Sequence, residues 1–182
     1  MKSKISRLNV EVKYHDVDVG TGAMSQLTTA SPTTALTDIA QGDTQITRDG
    51  TSVKLVDFHA RWQITKHATP STTIVRVMII HMVHTETLTA ADILQSSNVL
   101  SFRDLESDVK NFEVLYDKRV NLDNDKPQRL LEFNKKLGSH IEWSDGTAGS
   151  VRRGGLYMLI VDDQATNNAT YQFKSRTRFV DN

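Results

Sequence analysis

The feature that most constrains this chain is a pair of long strand-like runs, Val53 to Ile64 and Thr73 to Val83, which follow a short polar turn region. Apolar and polar residues largely alternate in the first run, and a period of two is typical of a strand with one buried face. The face expected to be buried carries Lys54, Val56, Phe58, Ala60, Trp62 and Ile64. The second run is apolar almost throughout, which predicts a strand covered on both faces. The two runs therefore indicate an all-β fold.

Alternation, together with the turn residues between the runs, predicts eight strands in total. They span residues 7–19, 52–65, 72–84, 111–122, 127–136, 139–144, 155–162 and 169–180. One short helix is expected at Thr89–Gln95, because a threonine in a capping position is followed three residues later by an acidic residue. The large core residues expected between the strands are Phe58, Trp62, Phe112, Tyr116, Tyr171 and Phe173. A chain of 182 residues suits a single domain spanning residues 1–182.

The composition excludes several classes of protein. The 22 basic and 22 acidic residues cancel, so the bulk charge provides no field that attracts nucleic acid. No cysteine occurs, which excludes disulfides and thiolate metal sites. The first residues lack the apolar segment of a signal peptide, and no apolar run reaches the roughly 18 residues that a transmembrane helix needs. We therefore expect neither a signal peptide nor a membrane span.

Four segments carry a resemblance to a known family. They are the turn Gln41-Gly42-Asp43, the strand Thr73 to Val83, the run Phe112 to Lys118 and the run Gly155 to Ile160. In these segments the chain resembles the coat protein of satellite tobacco necrosis virus and the capsid proteins of small circular single-stranded DNA viruses. The resemblance extends over most of the chain and implies an eight-stranded antiparallel jelly-roll sandwich with sheets B-I-D-G and C-H-E-F.

The resemblance also implies a function. In this family identical subunits close into a T=1 icosahedral shell around the genome, so we expect a capsid protein that is part of a virion, encloses single-stranded nucleic acid and catalyses nothing. The segment Gly20 to Gly50 would then be the long B–C connector of this family. Loops of this length are usually functional. Together with Thr85 to Lys110, it is expected to contact neighbouring subunits. The alternative is a non-viral jelly-roll binding module, either lectin-like or a trimer resembling tumour necrosis factor.

Six basic residues are candidates for contact with packaged nucleic acid. Lys174, Arg176 and Arg178 share one face of the last predicted strand, and Lys2, Lys4 and Arg7 form a short basic tail in residues 1–7. The resembled coat proteins begin with a much longer arm of arginine and lysine, and neutralising phosphates requires such charges. The sequence leaves open whether another segment contributes, whether the natural arm is longer, or whether the genome is loaded differently. For the strand residues, a merely solvated sheet face is the other interpretation.

No catalytic or cofactor-binding motif occurs, and we expect no metal site within one chain. His81 and His84 are three residues apart on a strand, so their side chains point to opposite faces and cannot share one ion. A cupin-like metalloenzyme is disfavoured because the chain has no His-x-His pair. Carboxylates could bind calcium where subunits meet, because calcium takes several oxygen ligands. The candidates are Asp16, Asp18, Asp43, Asp49, Asp162 and Asp163.

Overall fold

Two β-sheets packed face to face form the fold in the computed structural model, which describes residues 11–26, 35–83, 90–96, 98–104 and 111–181. The elements follow in the order β1 (Lys13–Ala23), β2 (Ser25–Gln26), β3 (Ser52–Thr65), β4 (Thr72–Met82), α1 (Ala90–Ile93), β5 (Phe112–Asp123), β6 (Gln128–Lys136), β7 (His140–Trp143), β8 (Val151–Arg153), β9 (Leu156–Asp162) and β10 (Thr170–Asp181). Among these residues, no helix is long and apolar enough to cross a membrane.

The first sheet has the strand order β1-β10-β3-β7-β8, and β6 also pairs with β3. The second sheet has the order β2-β9-β4-β5. All neighbours are antiparallel except β2 and β9, where the two-residue β2 continues the direction of β1 onto the second sheet. The predicted all-β sandwich with one short helix is therefore confirmed. The described residues contain ten strands rather than eight, because the short strands β2 and β8 were not predicted.

The order of strands matches a jelly roll once the letters are assigned from the pairing. With β1 as B, β10 as I, β3 as D, and β6 with β7 as G, the first sheet is B-I-D-G, and β9, β4 and β5 supply H, E and F. The prediction made β3 strand C, directly after the connector, but its pairing with β10 gives it the place of D. The C position lies beside β9. Gln26 pairs with Asp162 at one end of β9, and the Leu36 amide donates to Leu156 O at the other. Residues 27–34 of the connector lie outside the described residues.

A β-bulge in β3 makes the buried face of this strand differ from the predicted one. Val53 and Leu55 are fully buried, whereas Lys54 is exposed and Val56 is half-buried, so the prediction was wrong for the first part of this strand. The pairing with β10 skips Val56, since Asp57 lies opposite Arg178 and Leu55 lies opposite Phe179. One extra residue shifts the alternation by one position. On the other side of β3, the neighbour changes from β6 to β7 at the same point.

The main core lies between the sheets and is rich in aromatic rings. The Trp62 and Tyr116 rings are stacked with centroids 5.6 Å apart, and Phe173 lies 5.3 Å from Trp62. The Tyr116 ring also lies 4.9 Å from that of Phe133. Such pairs stabilise a core by about 0.5–1.5 kcal/mol each beyond the burial of their area. Of the predicted core aromatics, Phe112 lies elsewhere, in the cluster described next.

A second apolar cluster covers the outer face of the second sheet. Met78 and Ile80 of β4 pack there with Leu159 of β9 and with Ile93 and Val99 from the segment 90–104. The strand β4 is therefore buried on both faces, as its apolar sequence predicted. The segment 90–104 owes its position to this packing.

The polar turn region before β3 is fastened by a buried arginine. Arg48 is fully buried, and its Nε donates to Ile39 O at 2.9 Å while its Nη2 donates to Asp145 O at 2.7 Å. Its guanidinium group lies 4.4 Å from the centroid of the Trp143 ring, a cation–π contact. The arginine thus ties the end of the connector to the loop that follows β7.

Candidate nucleic-acid interface

Alternation along β10 places the three predicted cations on one exposed face. Lys174, Arg176 and Arg178 are exposed, whereas Ser175 and Thr177 between them are buried. This follows from the period of two, because every second side chain of a strand points to the same side. The three cations therefore lie in a line along the outer face of the first sheet.

Each cation in this line is already paired with a carboxylate of a neighbouring strand. Lys174 Nζ lies 2.8 Å from Asp18 Oδ2. Arg176 makes two parallel bonds to Asp16, with its Nε and Nη2 donating over 2.7 and 2.6 Å. Arg178 donates to Asp57 in the same bidentate way. A phosphate would have to compete with these carboxylates for the same donors.

The ion pairs also shift the pKa values of their members. The hydrogen bond that Arg176 donates holds the pKa of Asp16 below its usual range, and the hydrogen bond that Lys174 donates to Asp18 raises the pKa of Lys174. Asp16 and Lys174 therefore stay charged at neutral pH, and their ion pairs persist there. Because they are exposed, salt screens them.

The outer face of the first sheet nevertheless carries an excess of positive charge. Across β1, β10, β3 and β6 it presents six cations and four carboxylates, an excess of two, although the whole chain is neutral. The cations are Lys54, Arg61, Lys136, Lys174, Arg176 and Arg178, and the carboxylates are Asp16, Asp18, Asp57 and Glu132. In the described part of the chain, no carboxylate lies within ion-pair distance of Lys54 or Lys136.

A shallow groove of about 430 Å³ runs across this face between β1, β10 and β3. On the side of β1 and β10 it is lined by the ion pairs of Asp16 with Arg176 and of Asp18 with Lys174. On the side of β3 it is lined by His59 and Arg61. His59 Nε2 lies 2.7 Å from Glu132 Oε1, and Arg61 Nε lies 3.3 Å from the same oxygen. The hydrogen bond with His59 has the largest effect on Glu132, and together with the charge of Arg61 it lowers the pKa of this carboxyl group. The groove is thus lined by alternating charges and is open to solvent.

The structure brings together three of the six predicted nucleic-acid residues. Lys2, Lys4 and Arg7 lie outside the described residues. The prediction missed Lys54, Arg61 and Lys136 as members of the same face. Alternation correctly placed Arg61 on the polar side of its strand. Its neighbours across the sheet, Lys174 and Glu132, depend on strand pairing, which one sequence does not reveal.

Most of the predicted calcium carboxylates have partners within the chain. Besides Asp16 and Asp18, Asp49 pairs with the buried Lys13 over 2.6 Å, which raises the pKa of Lys13. Asp162 is fully buried and accepts a hydrogen bond from the Ala169 amide at 2.7 Å. Within the residues that the structure describes, no three His, Asp or Glu side chains are grouped so as to hold a metal ion. Calcium at subunit junctions stays a prediction.

His81 lies at one end of the sandwich, in a pocket of about 250 Å³ between the sheets. Its Nδ1 is 3.9 Å from Glu113 Oε2, and Lys135 Nζ is 3.5 Å from Glu113 Oε1. Burial lowers the pKa of His81, which keeps the imidazole neutral at pH 7. His84, its predicted neighbour on the other face, lies outside the described residues.

Comparison with known proteins gives structural likenesses and no sequence match. No family model matches the chain, and no curated protein matches it. The structure is similar to a chain of broad bean stain virus, with a TM-score of 0.41, 11% identity, and coverage of 88% of this chain and 84% of that chain. It is similar to a chain of naturally occurring empty particles of cowpea mosaic virus, with a TM-score of 0.41, 11% identity, and coverage of 89% and 81%. For infectious bursal disease virus, the TM-score is 0.37 at 9% identity, with coverage of 95% and 32%. These likenesses assign the chain to no family.

Proposed function

We propose that copies of this chain assemble into a small T=1 icosahedral shell, the coat of a virus with a single-stranded nucleic-acid genome. The observation that supports this most directly is the strand order of the two sheets, β1-β10-β3 with β6 and β7, and β9-β4-β5. This order corresponds to the B-I-D-G and H-E-F strands of the jelly roll that the sequence resemblance implies. In this proposal the chain is one jelly-roll domain, works in the virion and has a structural rather than a catalytic role.

Nucleic-acid packaging is the second part of the proposal. The outer face of the first sheet, with its excess of two cations, would face the interior of the shell. Lys174, Arg176 and Arg178 would exchange their carboxylate partners for phosphates, and the basic tail with Lys2, Lys4 and Arg7 would add further contacts. Because such contacts release counterions, packaging would weaken steeply as salt is raised.

Assembly and cargo are tested in one preparation. The protein is purified without nuclease, imaged by electron microscopy, and its absorbance ratio at 260 and 280 nm is measured. Uniform hollow or filled particles support the shell. Concentrated protein that stays as single chains over a range of salt and pH would refute it. A stable trimer would favour the alternative, a binding module resembling a lectin or tumour necrosis factor.

Two sets of variants test the packaging surface. Neutral substitutions at the six basic positions, to glutamine, should reduce the nucleic acid per particle without placing like charges beside Asp16, Asp18 or Asp57. The matched variant, Asp16→Asn with Asp18→Asn, releases Arg176 and Lys174 from their partners and should increase the cargo. Particles with unchanged cargo in both sets would show that this face does not contact nucleic acid.

A further inference from the structure

One row of side chains across the outer face of the first sheet carries no charge. Gln172 of β10 lies directly opposite Gln63 of β3, and Gln63 lies directly opposite Leu130 of β6. Directly paired residues of neighbouring strands point to the same face of a sheet, so the three side chains lie side by side. Leu130 is 76% exposed, and Gln172 is also exposed. We call Gln172, Gln63 and Leu130 the uncharged row.

The next row along the same three strands carries charges. Lys174 lies opposite Arg61, and Arg61 lies opposite Glu132, each two residues along its strand from the uncharged row. Since a strand rises about 3.3 Å per residue, the two rows are about 7 Å apart. The phosphate and the base of one nucleotide are separated by a similar distance.

A groove of about 380 Å³ lies over the two rows and is lined by the residues of both. For comparison, a cavity of about 150 Å³ holds a benzene molecule. A pyrimidine has one ring of that size and a purine has a second, so the groove has room for either. It shares Arg61 and Lys174 with the charged groove beside it. The uncharged row is therefore continuous with the surface proposed to contact nucleic acid.

The chemical groups of the uncharged row suit a nucleobase. Leu130 offers an apolar surface to the flat face of a base. The side-chain amides of Gln63 and Gln172 both donate and accept hydrogen bonds, and in the described part of the chain neither is engaged by another residue. Such amides can bond the pairing edge of any base. That edge is free in a single strand and is occupied in a duplex.

Arg61 and Lys174 can turn to a phosphate at little cost. The Nε and Nη2 atoms of Arg61 lie 3.3 and 3.4 Å from Glu132 Oε1, which is long for a hydrogen bond between charged groups. Glu132 keeps a partner if Arg61 leaves it, because His59 Nε2 lies 2.7 Å from the same oxygen. Lys174 contacts Asp18, and its ammonium group has three donors, so it can hold Asp18 and a phosphate together.

We propose that the uncharged row binds one base of a single-stranded nucleic acid, while Arg61 and Lys174 bind the phosphate of that nucleotide. The proposal rests on the proposed function, which turns this face to the interior of the shell, and adds a nucleotide site to it. The positive excess of the face complements the phosphates. Because the amides accept any base, the site would hold the strand without reading its sequence.

Binding of short oligonucleotides to the full chain tests the site. The probes are a fluorescein-labelled oligothymidylate and a labelled abasic strand with the same number of phosphates. Their affinities are measured by fluorescence anisotropy over a range of salt, on protein that light scattering shows to be unassembled. The oligothymidylate should bind about fivefold more tightly than the abasic strand, the lower end of what one stacked base contributes. Equal affinities would overturn the proposal.

Two substitutions separate the base contact from the phosphate contact. Leu130→Ala changes no charge and should weaken the oligothymidylate about fivefold while leaving the abasic strand unchanged. Arg61→Gln should weaken both strands and reduce the slope of log affinity against log salt by about 0.7, the value for one phosphate of a single strand. The control Ile46→Ala truncates a half-exposed apolar residue outside the groove and should change neither strand. Unchanged urea midpoints should show that the variants fold.

The outcomes distinguish this site from the shell. Ultraviolet irradiation of particles with their cargo should attach nucleotides to peptides that contain Gln63, Leu130 or Gln172. Particles whose cargo cross-links only elsewhere would overturn the site while keeping the shell. Binding that depends on Leu130, in protein that never forms particles, would keep the site and overturn the shell. If Leu130→Ala abolished self-association in the absence of nucleic acid, a second copy would be the occupant of the groove, and the proposal would be wrong.

Discussion

Replacing Arg76 by methionine should destabilise the protein and loosen the segment 98–104. Arg76 is 1% exposed and donates to both oxygens of Asp117, at 2.8 and 2.6 Å, as well as to the carbonyls of Val99 and Ser101. Methionine keeps much of the aliphatic volume and removes every donor. The substitution would therefore leave a carboxylate and two carbonyl groups without their partner.

The magnitude follows from the burial of these groups. Removing one member of a buried ion pair costs about 3–5 kcal/mol, because the other charge stays buried and unpaired. The Asp117 side chain is 22% exposed and can recover some hydration, which favours the lower end of the range. We expect the free energy of unfolding to fall by about 3 kcal/mol. Urea unfolding followed by tryptophan fluorescence measures this loss, with an unchanged m-value.

A second measurement separates local loosening of the segment 98–104 from a loss of global stability. Hydrogen exchange at the Ser101 and Asp104 amides, which are bonded to Asn98 O and Ile93 O, should accelerate more in Arg76→Met than exchange in β10. The double variant Arg76→Met with Asp117→Leu should lose less stability than the sum of the two single variants, because neither charge is left alone. A loss below about 1 kcal/mol in Arg76→Met would show that the network contributes little and would refute the reasoning.

Three further substitutions probe other parts of the structure. Arg48→Met should lower the free energy of unfolding by about 3 kcal/mol in urea, since several loop carbonyls lose their donor. Gly154→Ala should cost at least about 2 kcal/mol, because φ is 77° there and a Cβ would lie 2.0 Å from His140 O. Burial lowers the pKa of His81, so below pH about 6.5 the unfolded chain binds a proton that the folded chain does not. Stability should therefore fall as the pH decreases from 6.5, and His81→Gln should flatten this slope in urea midpoints measured against pH.

Each of these substitutions has a matched control. Arg152→Met changes an exposed arginine, and Gly138→Ala adds a Cβ that meets nothing within 4 Å, so each should alter stability by less than about 0.5 kcal/mol. His140→Gln changes an exposed histidine and should keep the slope with pH. Equal losses in a substitution and its control would contradict the interpretation of that site. If the urea midpoint of His81→Gln depends on pH as steeply as that of the unsubstituted protein, other groups cause the loss of stability in acid.

Local periodicity predicted more of this structure than any other property of the sequence. It placed the strands and put Lys174, Arg176 and Arg178 on one face, because side-chain direction along a strand depends on neighbours in sequence. It failed at Val53 and Leu55, where the bulge at Val56 shifts the alternation. Bulges depend on the pairing with other strands, and a single sequence contains no direct signal for them.

The partners of the surface charges were beyond prediction for the same reason. Asp16 was a candidate calcium ligand, yet it pairs with Arg176, which is 160 residues further along the chain. Such contacts depend on the register between distant strands. The segment Thr85 to Lys110 was assigned to subunit contacts because it is poor in apolar residues. In its described part, the few apolar residues divide, with Val99 packed inside and Phe102 exposed.

The bulge at Val56 also opposes wrong pairing of the strands. If β3 slid by one position against β10, Leu55 would turn outward and Lys54 would take its place among aliphatic side chains. The ammonium group makes that slipped alignment costly, because a lone charge is expelled from such surroundings. Because β10, β6 and β7 all pair with β3 around this point, the bulge at Val56 affects the register of several strands at once. The folded chain is thereby held to one alignment, and slipped chains that expose Leu55 to solvent stay rare.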